Sequence, residues 1–195
     1  MQVGRFWNWF STHEADYRGL DDAGACLQTR LEAFEAVLHT VDPGLGFEVG
    51  TAGDGLHELV ISADGDPDAF DSVRRVVAAA PSIPGWRVLA FRQADGEQAR
   101  VSVEDVEFAA ASAWFRHAIV AGDRYPTLQI GHAHFEPARR GLFRHGTDLL
   151  LQAMFGEELA SECLAAFHVC GVPECPSEAD WQPLAALADL LDDCD

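Results

Sequence analysis

Apolar side chains recur along this chain with two different spacings, and the switches between them mark out its elements. Leu27, Leu31, Phe34, Val37 and Leu38 follow at three- and four-residue steps on one stripe. This predicts a helix from about Asp22 to Thr40, closed by Asp42-Pro43-Gly44. Ahead of it, Phe6-Trp7-Asn8-Trp9-Phe10 is a dense aromatic opening, read as an amphipathic segment that locks onto the sheet. Ser11, three residues before Glu14, has the form of a capping box, so a helical segment is expected over 11–40. From Gly46 the pattern changes. Gly46-Phe47-Glu48-Val49 and His57 to Ser62 read as strands around the turn-rich Thr51-Ala52-Gly53-Asp54-Gly55. Asp66-Pro67 opens a second helix that turns Phe70, Val73, Val76 and Val77 inward and stops before Pro81. Trp86 to Phe91 is a third strand, with Trp86, Val88 and Ala90 on one face and Trp86 as a core anchor, so residues 46–92 form a ββαβ unit.

The same order returns in the second half. Strands are expected over Ala113–Val120 and Thr127–His134, then a helix over Pro137–Met154, a strand over Glu162–Cys170 and a short helix over 184–191. Ala52-Gly53-Asp54 and Ala121-Gly122-Asp123 lie 69 positions apart, and at that offset Leu59 and Ile61 fall on Leu128 and Ile130. Such correspondence reads as an old duplication. The expected fold is α+β: two ββαβ halves, about 46–92 and 113–170, of mostly antiparallel sheet with helices on one side. No low-complexity linker separates them, so residues 1–195 are expected to form a single compact domain.

Charge narrows the function classes. The net charge is −19, from 13 basic residues set against 32 acidic ones, and every basic residue is arginine. Without lysine there is no Schiff-base, P-loop or kinase-type ATP lysine. Eleven carboxylates and no cation lie between Gly146 and Asp195, yet Leu149, Leu150, Leu151, Phe155, Leu159, Leu164, Phe167 and Trp181 are there too. That stretch is expected to fold with its carboxylates outward. A surface of this sign repels nucleic acid and anionic membranes and fits a basic protein partner. No apolar run is long enough to span a bilayer, the opening residues lack a secretory pattern, and five cysteines are an odd number for disulfide staples. The expected compartment is the cytoplasm.

Four segments carry a resemblance: Phe6 to Phe10, Phe47-Glu48, Glu58-Leu59-Val60-Ile61-Ser62-Ala63-Asp64-Gly65 and Ala80-Pro81-Ser82-Ile83-Pro84-Gly85-Trp86. Together they resemble a family of uncharacterised bacterial proteins classed only as a domain of unknown function. The resemblance covers residues 6 to about 92. Beyond that, Phe155-Gly156-Glu157-Glu158 is similar to a degraded Leu-Gly-Glu turn. It implies a consistent fold and transfers neither activity nor site residues.

His132-Ala133-His134 is the candidate metal-binding pair, because alternate residues of a strand share a face. Glu136 shares their parity but lies ~13 Å from His132 along a straight strand, so His145 or Cys170 would have to complete the site. His168, Cys170, Cys175 and Cys163 fit no standard zinc spacing, and Cys170 or Cys163 with a histidine base is a candidate thiol nucleophile. Glu48 and Glu58, on opposing strands of the first hairpin, are a candidate carboxylate pair. Asp64-Gly65-Asp66-Pro67-Asp68 lacks the calcium-loop pattern and reads as a turn with Asp66 capping the next helix. No nucleophile elbow, dinucleotide fingerprint or His-Glu-x-x-His helix is present, and no cofactor is expected. The favoured function is a non-enzymatic acidic binding or regulatory protein. The alternative is a small metal-dependent or hydrolytic enzyme, with its site between the halves near His132, His134 and Glu48.

Overall fold

In the computed structural model, which describes residues 2–18, 27–118, 127–164 and 166–192, the aromatic opening is itself helical. Helix α1 spans Gln2–His13, with Phe6, Trp7 and Phe10 buried at i, i+1 and i+4. This corrects the capping-box reading. Ser11 lies inside the helix and its hydroxyl donates to the Trp7 carbonyl at 2.8 Å, because the apolar repeat of the aromatic run outweighs the local Ser-x-x-Glu signal. A short 3₁₀ turn, Glu14–Tyr17, follows. Helix α2 covers Leu27–Leu38 with Phe34 and Leu38 buried; the expected start of that helix, near Asp22, lies outside the described residues.

The chain divides into two compact units, residues 1–92 and 93–195, each with its own hydrophobic core. In the first, β1 (Gly46–Thr51) pairs antiparallel with β2 (His57–Ser62), and β2 pairs parallel with β3 (Trp86–Ala90). Helix α3 (Phe70–Ala78) makes the crossover. It is entered through a 3₁₀ turn at Pro67–Ala69, where the Asp66 carboxylate accepts from the Asp68 amide at 3.1 Å, as expected of a cap. Strand alternation puts Phe47, Leu59, Ile61 and Val88 on one face, and there they join Phe6, Phe10, Phe34, Val73 and Val76 in the core. Phe34 of α2 stacks on Phe47 of β1 at 4.0 Å, and the Trp7 indole N–H donates to the Val76 carbonyl at 2.9 Å, tying α1 to α3.

The second unit opens with a hairpin, β4 (Arg100–Val103) and β5 (Val106–Ala109). A four-stranded sheet follows in the order β8-β7-β6-β9, from β6 (Ala113–Ala118), β7 (Thr127–His132), β8 (Phe167–Gly171) and β9 (Gln182–Pro183). The β6–β7 pair is antiparallel and the β7–β8 pair parallel, so this unit also contains ββαβ connectivity, and both larger sheets are mixed. Helix α4 (Arg140–Phe155) lays Phe143, Leu150, Leu151 and Met154 on Phe115, Ile130 and Val169. Helix α6 (Leu187–Asp192), following a 3₁₀ turn, agrees with the short closing helix expected there.

Two boundaries differ most from expectation, while the expected end of the strand from Ala113, at Val120, and the Ala121-Gly122-Asp123 loop lie outside the described residues. Strand β7 stops at His132 rather than His134, because residues 133–134 turn toward the extended Glu136 and Pro137 that start the next helix. Residues 157–163 form helix α5 instead of leading into a strand that starts at Glu162. Gly156, at φ 83°, breaks the backbone after α4, and Glu157-Glu158 then supply the negative charge a helix N-terminus favours. The carboxyl-terminal quarter is folded, with Glu162, Glu174, Asp180 and Asp189 exposed as expected; Glu157 departs from the pattern and is fully buried. Among the described residues no helix is long and apolar enough to cross a membrane.

Gly146 sets how closely β5 approaches α4. A Cβ there would lie 2.2 Å from Phe108 Cε2, and Phe108 is 1% exposed. Replacing glycine by alanine inside a helix normally gains about 1 kcal/mol, but overpacking a tight core costs about 1–3 kcal/mol. Gly146→Ala is therefore expected to lower unfolding stability in a urea titration. A more stable variant would show that the β4–β5 hairpin yields freely.

Candidate functional site

The most chemically distinctive residue of the second unit is His132, the last residue of β7. Its parity places it on the core face with Leu128 and Ile130, and it is 7% exposed. The rings of Phe108 and Phe143 stand 5.4 and 5.6 Å from the imidazole. Thr147 of α4 donates its hydroxyl to the Phe143 carbonyl at 2.6 Å. It can therefore only accept from His132 Nε2, 2.7 Å away, and the hydrogen of the neutral ring sits on Nε2. Burial holds the ring neutral, lowering its pKa to about 4.

Around this ring a cavity of about 490 Å³ opens, walled by Phe108 and Phe143 and bordered by Asp105, Glu107, Glu136 and Arg139. Arg139 is shared. It binds Asp105 closely, meets Glu104 at 3.3 Å and stands 3.8 Å from Glu136. Its hydrogen bonds hold the Asp105 carboxyl below the usual range. His134 reaches the same cavity from the exposed turn after β7. The two histidines therefore do not extend from one strand face, as a paired metal site on a strand requires. Among the described residues, no three His, Cys, Asp or Glu side chains group to hold a metal.

The remaining candidates are not among the residues that line this cavity. His145 is exposed on α4. Cys170 is half-buried on β8, with its thiol 4.0 Å from the Ile130 carbonyl and its pKa raised by burial, the opposite of nucleophile activation. Cys175 is exposed, and the side chain of Cys163 lies outside the described residues. Glu48 and Glu58 belong to the first unit and are not cross-strand partners, since Glu48 faces Val60 and Glu58 faces Gly50. Each has its own arginine. Arg92 binds Glu48 closely, and Arg87 donates to Glu58 at 2.8 Å and to Asp54 at 2.6 Å.

A larger feature lies in the first unit. A groove of about 970 Å³ runs between α2, β1 and the loop after β2. Leu27, Leu31, Phe47 and Val49 give it apolar surface, while Glu35, Glu48, Asp64 and Asp66 give it negative charge. Its wall β1 is an edge strand, paired only with β2 among the described residues. Arg92, bridging Glu48 and Asp64, offsets part of that charge. The sequence pattern of β1 showed the strand but not its edge position, which depends on where β3 pairs. Thr147, Phe108 and Asp105 were likewise unmarked, although Val101-Ser102-Val103-Glu104-Asp105-Val106-Glu107-Phe108 carries the two-residue alternation of a hairpin. No family model, curated protein or solved structure matches this chain.

Proposed function

We propose that this protein is a non-enzymatic binding protein that takes an extended, basic segment of a partner protein along β1. The observation that carries the reading is the groove itself, which joins an open strand edge, an apolar floor and four carboxylates. An added strand gains main-chain hydrogen bonds at such an edge, with side-chain pockets setting specificity. The net charge of −19 favours arginine- or lysine-rich partners and disfavours nucleic acid. Charge and cysteine usage fit a cytoplasmic setting.

The test is fluorescence anisotropy with a labelled, extended Arg-rich peptide carrying alternate apolar residues, beside an acidic counterpart and duplex DNA. Binding should be specific to the basic peptide and weaken as salt rises. Glu35 is exposed, with its carboxylate 3.9 Å from His39, so Glu35→Lys should leave the fold intact and weaken binding by about tenfold or more. Equal affinity in that variant, salt-insensitive binding, or tighter binding of DNA would refute the reading.

The two ββαβ elements are read as a duplicated ancestor. Leu59 lies between Val49 and Val88, and Leu128 between His117 and Phe167; Ile61 lies between Phe47 and Ala90, and Ile130 between Phe115 and Val169. Leu59, Ile61, Leu128 and Ile130 are all buried. Asp66-Pro67 and Glu136-Pro137 both place an extended acidic residue before a 3₁₀ turn that feeds the crossover helix. Reconstructed ancestral sequences whose halves grow less alike with depth would overturn common descent.

A further inference from the structure

We propose that the cavity at the end of β7 binds a small organic amine, a protonated nitrogen carried on an aromatic or similarly apolar body. The acidic border alone would not justify a ligand; the buried imidazole supplies an independent reason. His132 Nε2 is spent on Thr147, and Thr147 is spent on Phe143, so Nδ1 is a lone-pair acceptor. Among the described residues nothing donates to it, and it is not sealed away as an orphan either, since no buried side-chain nitrogen or oxygen lacks a partner. Nδ1 therefore is not fully enclosed, and the open space that His132 lines is this cavity. A neutral acceptor on a ring more than nine-tenths buried offers a hydrogen bond to a donor that enters the cavity.

The surroundings select the donor's charge. Arg139 is a single guanidinium among Asp105, Glu104 and Glu136, which leaves that cluster net negative. Glu107 is met by Arg100 at 3.2 Å, out on the exposed surface. An anion entering here would find Arg139 and Arg100 already engaged, whereas an ammonium finds excess carboxylate beside a wall that includes Val106, Phe108 and Phe143. The volume of about 490 Å³ falls in the range of small-molecule sites. This site lies wholly in the second unit and does not depend on the groove along β1.

Isothermal titration of the full chain with tryptamine, against neutral tryptophol and anionic indole-3-acetate, tests the proposal. Tryptamine should bind at one saturable site at least about tenfold more tightly than tryptophol, and indole-3-acetate should not bind. On binding, the ¹⁵N resonance of His132 Nδ1 should move in the direction of hydrogen-bond acceptance. His132→Asn and Glu136→Gln should each weaken tryptamine; Glu136 is exposed and makes no side-chain cap, so its variant decides the matter if His132→Asn does not fold. Glu35→Lys should bind tryptamine like the parent, which separates this site from the groove. Absence of saturable tryptamine binding, equal affinity for tryptophol, or parental affinity in Glu136→Gln would overturn the proposal.

Discussion

Trp86→Ala is expected to destabilise the first unit by about 3–5 kcal/mol, the usual cost of emptying a large aromatic site in a core. Trp86 opens β3 on the face shared with Leu59 and Ile61, is 9% exposed, and meets Phe10 edge-on at 5.1 Å. Its indole N–H also donates to Glu14 Oε2 at 2.6 Å. That carboxylate accepts from Arg18 Nε at 2.6 Å, and Arg18 reaches on to the Pro84 carbonyl at 2.9 Å. The arginine and the indole together hold the Glu14 carboxyl below its ordinary range. Trp86→Phe separates the two contributions. It keeps most of the apolar area and loses the N–H, so a smaller loss of about 1–2 kcal/mol is expected. Chemical denaturation of the three proteins measures both. An alanine variant with the parent's midpoint would show that the indole is not part of the core.

The second large effect is an acid sensitivity set by His132. Its folded pKa of about 4 lies below the ordinary value of 6.5, with burial as the cause. Above about pH 6.5 both folded and unfolded chains hold this ring neutral, and it contributes no pH dependence. Between about 6.5 and 4 the unfolded chain takes up a proton that the folded chain refuses, so stability falls as pH falls. Below about 4 the folded ring is protonated too, and the loss levels off at roughly 3 kcal/mol. Carboxylates with depressed pKa, such as Glu14, Asp42 and Asp105, act in a lower window, below the usual carboxylate range. Unfolding titrations between pH 7 and 4.5 should therefore slope downward in the parent and be much flatter in His132→Gln. An unchanged slope in that variant would assign the effect to another group.

Residues that could not be read singly were legible as periods. The hairpin at 46–62, the cap at Asp66, the inward face of α3 and the placement of Trp86 all follow from local rules. Alternation, an acidic residue before proline and a three-to-four repeat each act over a few residues. The closing helix and the folding of the acidic quarter follow for the same reason, since Leu150, Leu151, Phe167 and Trp181 need burial whatever charge surrounds them. The ββαβ order of both halves was visible, because alternation and the helical repeat mark each strand and crossover helix locally.

Where local signals competed, only tertiary packing chose. Ser11-Thr12-His13-Glu14 carries a helix-start signal, yet the aromatic repeat before it extends α1 straight through Ser11. The strand expected to start at Glu162 gives way to a helix over 157–163, where a glycine at positive φ, helix-forming residues and the packing of Ala160 and Leu164 decide. The candidate sites show the same division. From sequence, His132 and His134 were two alternating residues of one strand. Ending β7 at His132 buries the first against Phe108, Phe143 and Thr147 and leaves the second in an exposed turn. The groove along β1 depends on which strand takes the sheet edge, and the imidazole's tautomer depends on a threonine fifteen residues away. Composition and period determined which segments fold and which faces are apolar, because those preferences are local and additive. Edge position, burial of a titratable ring and the pairing of Glu48, Glu58 and Asp105 with their arginines were decided only by the tertiary structure, because each depends on contacts between segments far apart in the chain.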